Sequence, residues 1–242
     1  MNRPLRAAAL VFIFLFSDAV LPPVPPPQAR LLPSGSVETA LSSLPSRTSG
    51  RGSFPGDPLN LLFFGKEDQI RRALSQAGWT ELPIPYTASV RAGLADLLSR
   101  GRLDRFPPMT VYHVLGRPQD MNWAQVITPV LRRHHFRLWR TGLTDGTGRE
   151  IWWGSGNYDL SVRWTDLTHR PDPDMNEERN FIERTLDGNK EITRKTKIKI
   201  PQIPLRGSNE CGYDFTTDGK ALFVEFEAPG PAGSEAGRSA KK

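Results

Sequence analysis

The sequence predicts an α+β fold: a mainly antiparallel sheet with about three helices, flanked by disordered tails. Three observations predict it. Helical spacing of apolar residues occurs in few segments, while alternating or continuous apolar runs recur through the middle of the chain. The single cysteine, Cys211, cannot form an internal disulfide, so the fold must rest on its core. The 22 prolines and 21 glycines crowd toward the ends, which marks tails rather than packed structure.

The first element, residues 1–19, reads as a signal peptide or N-terminal anchor. Arg3 and Arg6 precede an apolar run from Ala7 to Phe16, the length of a signal core rather than of a membrane span. Ser17-Asp18-Ala19 offers a small residue before Val20, and Leu21-Pro22-Pro23 breaks any helical extension. The expected location is therefore exported, periplasmic or secreted, with anchoring by this segment as the alternative. Residues 20–57 read as a linker, with five prolines between Leu21 and Pro27 and a Ser/Gly/Thr/Arg-rich stretch from Ser34 to Ser53. Pro33-Ser34-Gly35 matches part of a lipid-phosphatase motif, but Ser36 stands where that motif needs His. Residues 229–242 read as a second disordered tail, which leaves 58–228 as the folded core.

Within the core, Leu59 to Phe64 is apolar on both parities, the pattern of a strand buried on both faces. Lys66 to Gly78 reads as a helix with Ile70, Ala73, Leu74 and Ala77 as its stripe. Gly65-Lys66-Glu67-Asp68 lacks the glycines of a phosphate loop, and its acids would repel phosphate. A second helix spans about Ala88 to Ser99. From Pro108 the period becomes two, with Met109, Val111, His113 and Leu115 on one face. His134 to Arg140 is a strand, Asp145-Gly146-Thr147-Gly148 a turn, and Ile151-Trp152-Trp153 and Tyr158 to Trp164 further strands. A third helix runs from Met175 to Asp187. Strands return at Thr196–Ile200 and Leu222–Phe226. Lys195, Lys197 and Lys199 mark the first of these as an edge strand, with an anion-binding stripe as the sharper alternative.

A mean hydropathy of −0.44 argues against a polytopic membrane protein. The net charge of +6 is scattered, and no nucleic-acid recognition motif is present, so no nucleic-acid partner is expected. Cys211 sits in a loop-like stretch far from any histidine and reads as an ordinary thiol.

The chemistry concentrates around Thr168-His169-Arg170-Pro171-Asp172-Pro173-Asp174 and Glu177-Glu178-Arg179. His169 follows a strand and precedes a helix, in a loop setting where functional groups gather. Strand parity turns His134 to the apolar side with Phe136 and Leu138. It turns His135 to the polar side with Arg137, within reach of Asp159. Asp174 with Glu177 fits a capping box for the third helix. Candidate catalytic residues are therefore His169, Asp172, Asp159 and His135. Arg137 and Arg179 are candidates to hold an anion, and Trp153 belongs to a set of tryptophans able to wall a sugar or lipid. Asp172 and Asp174 with His135 or His169 would suit Zn, Mn or Fe, but no defined metal spacing appears, so metal and cofactor stay unassigned. Gly154-Ser155-Gly156 lacks the nucleophile-elbow pattern and reads as a bulge or turn.

Taken in order, several short motifs resemble the LssY-like C-terminal domain family. They are Asp57-Pro58-Leu59-Asn60-Leu61 with Gly65, Ala77-Gly78-Trp79, Leu115-Gly116-Arg117-Pro118-Gln119-Asp120, Arg133-His134-His135-Phe136-Arg137-Leu138-Trp139 and Trp152-Trp153-Gly154 leading to Asp159. Thr168-His169 to Asp172, Asp174, Glu178 and Arg179 completes the series. The resemblance implies a domain of poorly understood function that relatives carry behind lipid-phosphatase-like or DedA-like membrane modules. Those modules have no counterpart in this sequence, so their activities do not carry over. Arg170-Pro171 stands where relatives usually have Ile, which implies a locally different backbone. The expectation is an exported, envelope-associated accessory or binding domain, its partner an envelope lipid, a glycan or a membrane protein. The alternative is a metal-assisted hydrolase acting on a phosphoester or cell-envelope substrate.

Overall fold

The structure, a computed structural model, describes residues 25–32, 41–42, 44–84, 95, 109–128, 132–163 and 168–228. The elements are β1 (Arg30–Leu31), β2 (Arg47–Ser49), β3 (Pro55–Pro58), β4 (Leu61–Gly65), α1 (Glu67–Gln76), β5 (Thr80–Leu82), β6 (His113–Val114), β7 (Arg117–Pro118) and β8 (Met121–Thr128). The longest strands follow, β9 (Arg132–Thr144) and β10 (Glu150–Arg163), then β11 (Thr168–Pro171), α2 (Met175–Thr185), β12 (Ile192–Lys199), β13 (Arg206–Ser208), β14 (Asp214–Thr216) and β15 (Lys220–Phe226).

One sheet organises the chain, in the order β12-β15-β4-β10-β9-β8-β5, with β11 added to β10 and β1 to β9. Its pairings are antiparallel except β15–β4 and β1–β9. β4 lies in its centre, which is why its apolar residues run on both parities: Leu61 and Phe63 face one core, Leu62 and Phe64 the other. The first core is closed by the stripe of α1 (Ile70, Ala73, Leu74) and by Ile182 and Leu186 from α2 and its end. The second is covered by a small sheet in the order β3-β2-β6-β7, through Tyr112 and Val114 packed against Trp139 and Trp153. The architecture is an α+β sandwich, mostly β, with two helices among the described residues.

Several expectations change. The segment 1–19, the tail 229–242 and, apart from Ala95, the helix expected at Ala88–Ser99 lie outside the described residues. The linker ends earlier than residue 57: Leu41, Leu44, Thr48 and Asp57 are buried, and β2 and β3 form there. Arg47 holds the segment by donating to the Gly56 and Ser208 carbonyls. Residues 109–115 do not keep one alternating face. Tyr112 and Val114 turn inward, while Val111 and Leu115 are exposed. The segment 151–153 and the described part of the other, 158–163, belong to one long strand, β10. His169 lies in β11 rather than in a loop, and Pro171 is accommodated at the end of that strand, opposite Asp159.

α2 begins as the sequence implies, with Asp174 accepting the Asn176 backbone N–H at 2.9 Å. The reciprocal half of the capping box is replaced. The Asp174 N–H goes to Asp172 Oδ1 at 2.9 Å, because an Asx turn two residues upstream reaches it first, and Glu177 stays exposed. β12 is an edge strand, and its lysines tie it to α2: Lys195 donates to the Glu183 carbonyl and pairs with Asp187, while Lys197 pairs with Glu183 at 2.7 Å. That leaves the anion-stripe reading without two of its three lysines.

Gly154 answers a packing constraint rather than a catalytic one. A Cβ there would lie 2.9 Å from the Arg137 carbonyl and 2.7 Å from the Leu138 side chain, across the β9–β10 ladder. Gly154→Ala is therefore expected to lower stability by about 1–3 kcal/mol through overpacking, read as a lower urea midpoint at unchanged slope.

Candidate functional site

The alternation of β9 sets Arg133, His135, Arg137 and Trp139 on one face of the sheet and His134, Phe136 and Leu138 on the other. In β10 the register pairs Arg133 with Asp159, His135 with Asn157 and Arg137 with Ser155. Residues directly opposite one another share a face, so three polar side chains from each strand meet between the large sheet and the small one. All six are buried. Asn60 helps to hold β10 in place: its side chain accepts the Gly156 N–H at 2.9 Å and donates to the Gly156 and Met175 carbonyls.

Asp159 Oδ2 is the focus of this group. Arg133 Nε donates to it at 3.0 Å. His135 Nδ1 stands 3.4 Å from the same oxygen, and so does His169 Nδ1, brought in from β11 on the other side of β10. At 3.4 Å these approaches are too long to be good hydrogen bonds, and both ring nitrogens are buried without a hydrogen-bond partner. Beyond them, Asp57 accepts from Asn157 Nδ2 at 2.7 Å and from Asn209 Nδ2 at 2.9 Å. Arg137 lies over the Tyr112 ring at 4.7 Å and donates to the Thr110 carbonyl. Glu210 lies near the Tyr112 ring, both within 3.3 Å of the point a Cβ on Gly56 would occupy.

Burial governs the titration of the group. It pushes the His135 imidazole well below its ordinary 6.5, and Arg133 and Arg137 push the same way. It lowers His169 too, against the pull of Asp159. It raises the Asp57 carboxyl, against the hydrogen bond from Asn209 and the charge of Arg137. It raises the Tyr112 phenol, with Asp57 adding to the effect. In the folded chain the two imidazoles are held neutral, each with one donor and one acceptor nitrogen.

Of the residues expected to act, His135, Asp159, His169 and Arg137 come together. Asp172 does not: its Oδ1 is taken by the Asp174 N–H, in the turn that starts α2. Arg179 is buried in a fork to Asp218, at 2.6 and 3.1 Å, and to the Lys220 carbonyl, where it locks α2 to the start of β15. Trp153 is core, with its Nε1 donating to the Pro45 carbonyl at 2.7 Å, so it walls no open surface. Sequence reasoning missed Arg133, although the parity that selected His135 and Arg137 selects it as well. It also missed Asp57, which sits in linker-like composition, and Asn209 and Glu210, which join from far along the chain with no local pattern to reveal them. Among the described residues, no group of three or more His, Cys, Asp or Glu side chains is arranged to hold a metal ion.

His134 behaves as parity implies. It is sandwiched between Phe181 and Tyr158, with ring centroids at 3.7 and 4.3 Å, and its Nδ1 lies 2.5 Å from Glu178 Oε2. Glu178 is itself buried beneath β9.

The family model of the LssY C-terminus matches residues 41–221. The chain belongs to the LssY C-terminus family. The match begins where Leu41 and Leu44 enter the second core, in keeping with a folded LssY domain that includes residues read as linker. No curated protein and no solved structure matches the chain. Among the described residues of this LssY domain, no helix is long and apolar enough to cross a membrane.

Burial raises the Glu178 carboxyl well above its ordinary 4.5, and Asp159 adds to the effect. The folded state therefore keeps its proton where the unfolded chain releases it, so Glu178 costs stability as pH rises above that ordinary value. Glu178→Gln removes this term. The stability of the variant relative to wild type is expected to rise between about pH 5 and about pH 8, measured by urea unfolding at both. A difference that stays flat with pH would show that Glu178 is ionised in the fold.

Proposed function

We propose that this LssY domain is an exported, envelope-associated binding domain that takes a charged ligand at the centre around Asp159. The single observation that carries the reading is the convergence of His135 and His169 on one carboxylate oxygen, with both Nδ1 atoms buried and unpartnered. Buried polar groups are normally satisfied, and an unsatisfied pair aimed at one point is what a ligand site looks like before it is filled. The signal-like segment 1–19 supports an envelope location. Of the tryptophans that would stack on a sugar, Trp139, Trp152 and Trp153 are core residues, which favours recognition by charge, for instance of a lipid headgroup, over recognition by an aromatic wall.

Hydrolysis of a phosphoester or cell-envelope substrate is a second reading, favoured by the same convergence. Two imidazoles sharing a carboxylate can give and take protons in turn. Arg133, 3.0 Å from Asp159 Oδ2, places a positive charge beside the oxygen that a metal would use, so acid–base work suits the site better than metal assistance.

Fractionation of cells expressing the full chain is expected to place it in the envelope or outside the cell. A cytosolic chain with an unprocessed N-terminus would overturn the location. For the site, purified chain is tested for binding of charged headgroup analogues and for turnover of a chromogenic phosphate ester. Binding without turnover, lost in His169→Ala, is the expected result. Turnover lost in both His169→Ala and Asp159→Asn would instead establish the hydrolase. Binding indifferent to His169 would remove this centre from the function.

A further inference from the structure

We infer that one end of this LssY domain, built from residues 25–32, the β9–β10 turn and the β6–β7 turn, is a membrane-contact face that lies on the lipid bilayer to which residues 1–19 lead. The inference is separate from the ligand reading of the Asp159 centre. It rests on the envelope location proposed above, with residues 1–19 retained as the anchor.

Residues 25–32 have linker-like composition but are strapped onto the large sheet. β1 runs parallel to the end of β9, with Arg30 opposite Leu143 and Leu31 opposite Thr144. The Leu32 N–H donates to the Thr144 carbonyl at 2.8 Å, and the Leu32 side chain packs against the second core. The seat is shaped for backbone. Gly142 has a φ of +75°, and a Cβ there would lie 2.6 Å from the Gln28 carbonyl oxygen and 3.1 Å from Pro27 Cβ. The strap fixes where the chain leaves the domain. Six residues lead from Ala19 to Pro25, a reach of at most about 22 Å. A tether running instead to Leu41, where the family match begins, has 22 residues and a reach of about 79 Å. The strap therefore holds this end of the domain, and no other, against the bilayer.

This end presents leucines at two tips. Leu31 is 72% exposed beside the β9–β10 turn, where a Cβ on Gly146 would lie 3.2 Å from Leu31 Cδ2. Leu115 is 52% exposed at the β6–β7 turn. That turn is tied to the same end of β9, since Arg117 pairs with Asp120 at 3.1 Å and Asp120 accepts the Arg140 N–H at 2.8 Å. Val114 pairs with Arg117, so Leu115 and Gly116 are the two turn residues, at φ +54° and +72°. Such a turn suits Asn-Gly, and a leucine at positive φ is disfavoured by its own side chain. An apolar side chain held outward against its backbone preference points to a partner for that side chain. Arginines at this end already have carboxylates: Arg140 pairs with Glu150 at 2.9 Å and Arg149 with Asp145 at 2.7 Å. The contact is therefore apolar, made effective by the short tether, and does not depend on attraction to anionic headgroups. The Asp159 centre lies toward the other end of the same strands. Arg133 is 11 residues from Thr144, about 36 Å along β9, so a ligand taken there, a headgroup included, comes from outside this bilayer.

The test places an environment-sensitive dye at Leu31→Cys, Leu115→Cys or Leu205→Cys, each combined with Cys211→Ser, in the full chain. The labelled chains are reconstituted into vesicles of phosphatidylcholine alone and with added phosphatidylglycerol. Leu205 is an exposed leucine at the opposite end. It lies against Gly219, just before β15 starts, whereas Arg149 beside the β9–β10 turn bonds the Phe226 carbonyl where β15 finishes. Dyes at residues 31 and 115 are expected to shift to the blue and to be quenched by doxyl-labelled lipid in both vesicles, at low and high salt alike, while the dye at residue 205 stays in water. Leu115→Asn suits the turn and is expected to keep or raise the urea midpoint, yet to lose lipid quenching at residue 31. Dyes that stay in water at residues 31 and 115 of an anchored chain overturn the inference and leave the envelope location standing. So does export followed by release of the domain from the membrane. A signal that needs phosphatidylglycerol and vanishes in high salt overturns the apolar contact. A cytosolic chain removes the inference and the location together.

Discussion

The pairing of Arg133 with Asp159 sits where the two longest strands face each other, and much of the molecule is arranged around it. The side chains are 7% and 4% exposed, and breaking such a pair by removing one partner typically costs about 3–5 kcal/mol, because a buried charge is left alone. It therefore acts as a register pin. Slipping β10 by one residue against β9 would turn Asp159 away from Arg133 and Trp153 away from Trp139, exchanging a buried polar face for an apolar one. The apolar ladder at one end of the two strands and the ionic one at the other support the same alignment.

That alignment gives β9 two unlike faces, and the protein uses both. His135 belongs to the ionic centre, while His134, its neighbour, belongs to the packing of α2. Glu178 ties α2 to that second face: its carboxyl meets the His134 ring at 2.5 Å. Gly156 allows this close approach, since a Cβ there would lie 2.8 Å from Ile182 Cδ1 and 3.5 Å from Glu178 Cγ. The two glycines around Ser155 thus matter for strand and helix packing, which is why they lack the pattern of a nucleophile turn.

Legibility followed the range of the interactions. β4, α1, α2, the turn at 145–148 and the lysine-guarded edge each carry their pattern within a dozen residues, and strand parity alone separated His135 from His134. The centre was half legible for the same reason. His135, Arg137 and Asp159 lie on alternating strands, and His169 beside a helix start. Asp57, Asn209 and Glu210 reach the centre from segments whose composition looks like linker or loop, because their burial is created by tertiary contact and leaves no periodic trace. Asp172 and Arg179 misled for a related reason. An acid before a helix and an arginine on it have the same composition whether they bind a ligand or close an Asx turn and a buried fork. Trp153 misled because a tryptophan buried against a second sheet looks, in sequence, like one on a surface.

The placement of the centre bears on what it can do. It lies between two sheets rather than on a loop, so its groups are fixed by ladders on both sides and need little reorganisation to meet a charge. Burial also removes water, which strengthens each charge contact and makes each unmatched group more costly. His135 and His169 are the places where that cost is still unrelieved, since their Nδ1 atoms face Asp159 at a distance too long to share a proton well.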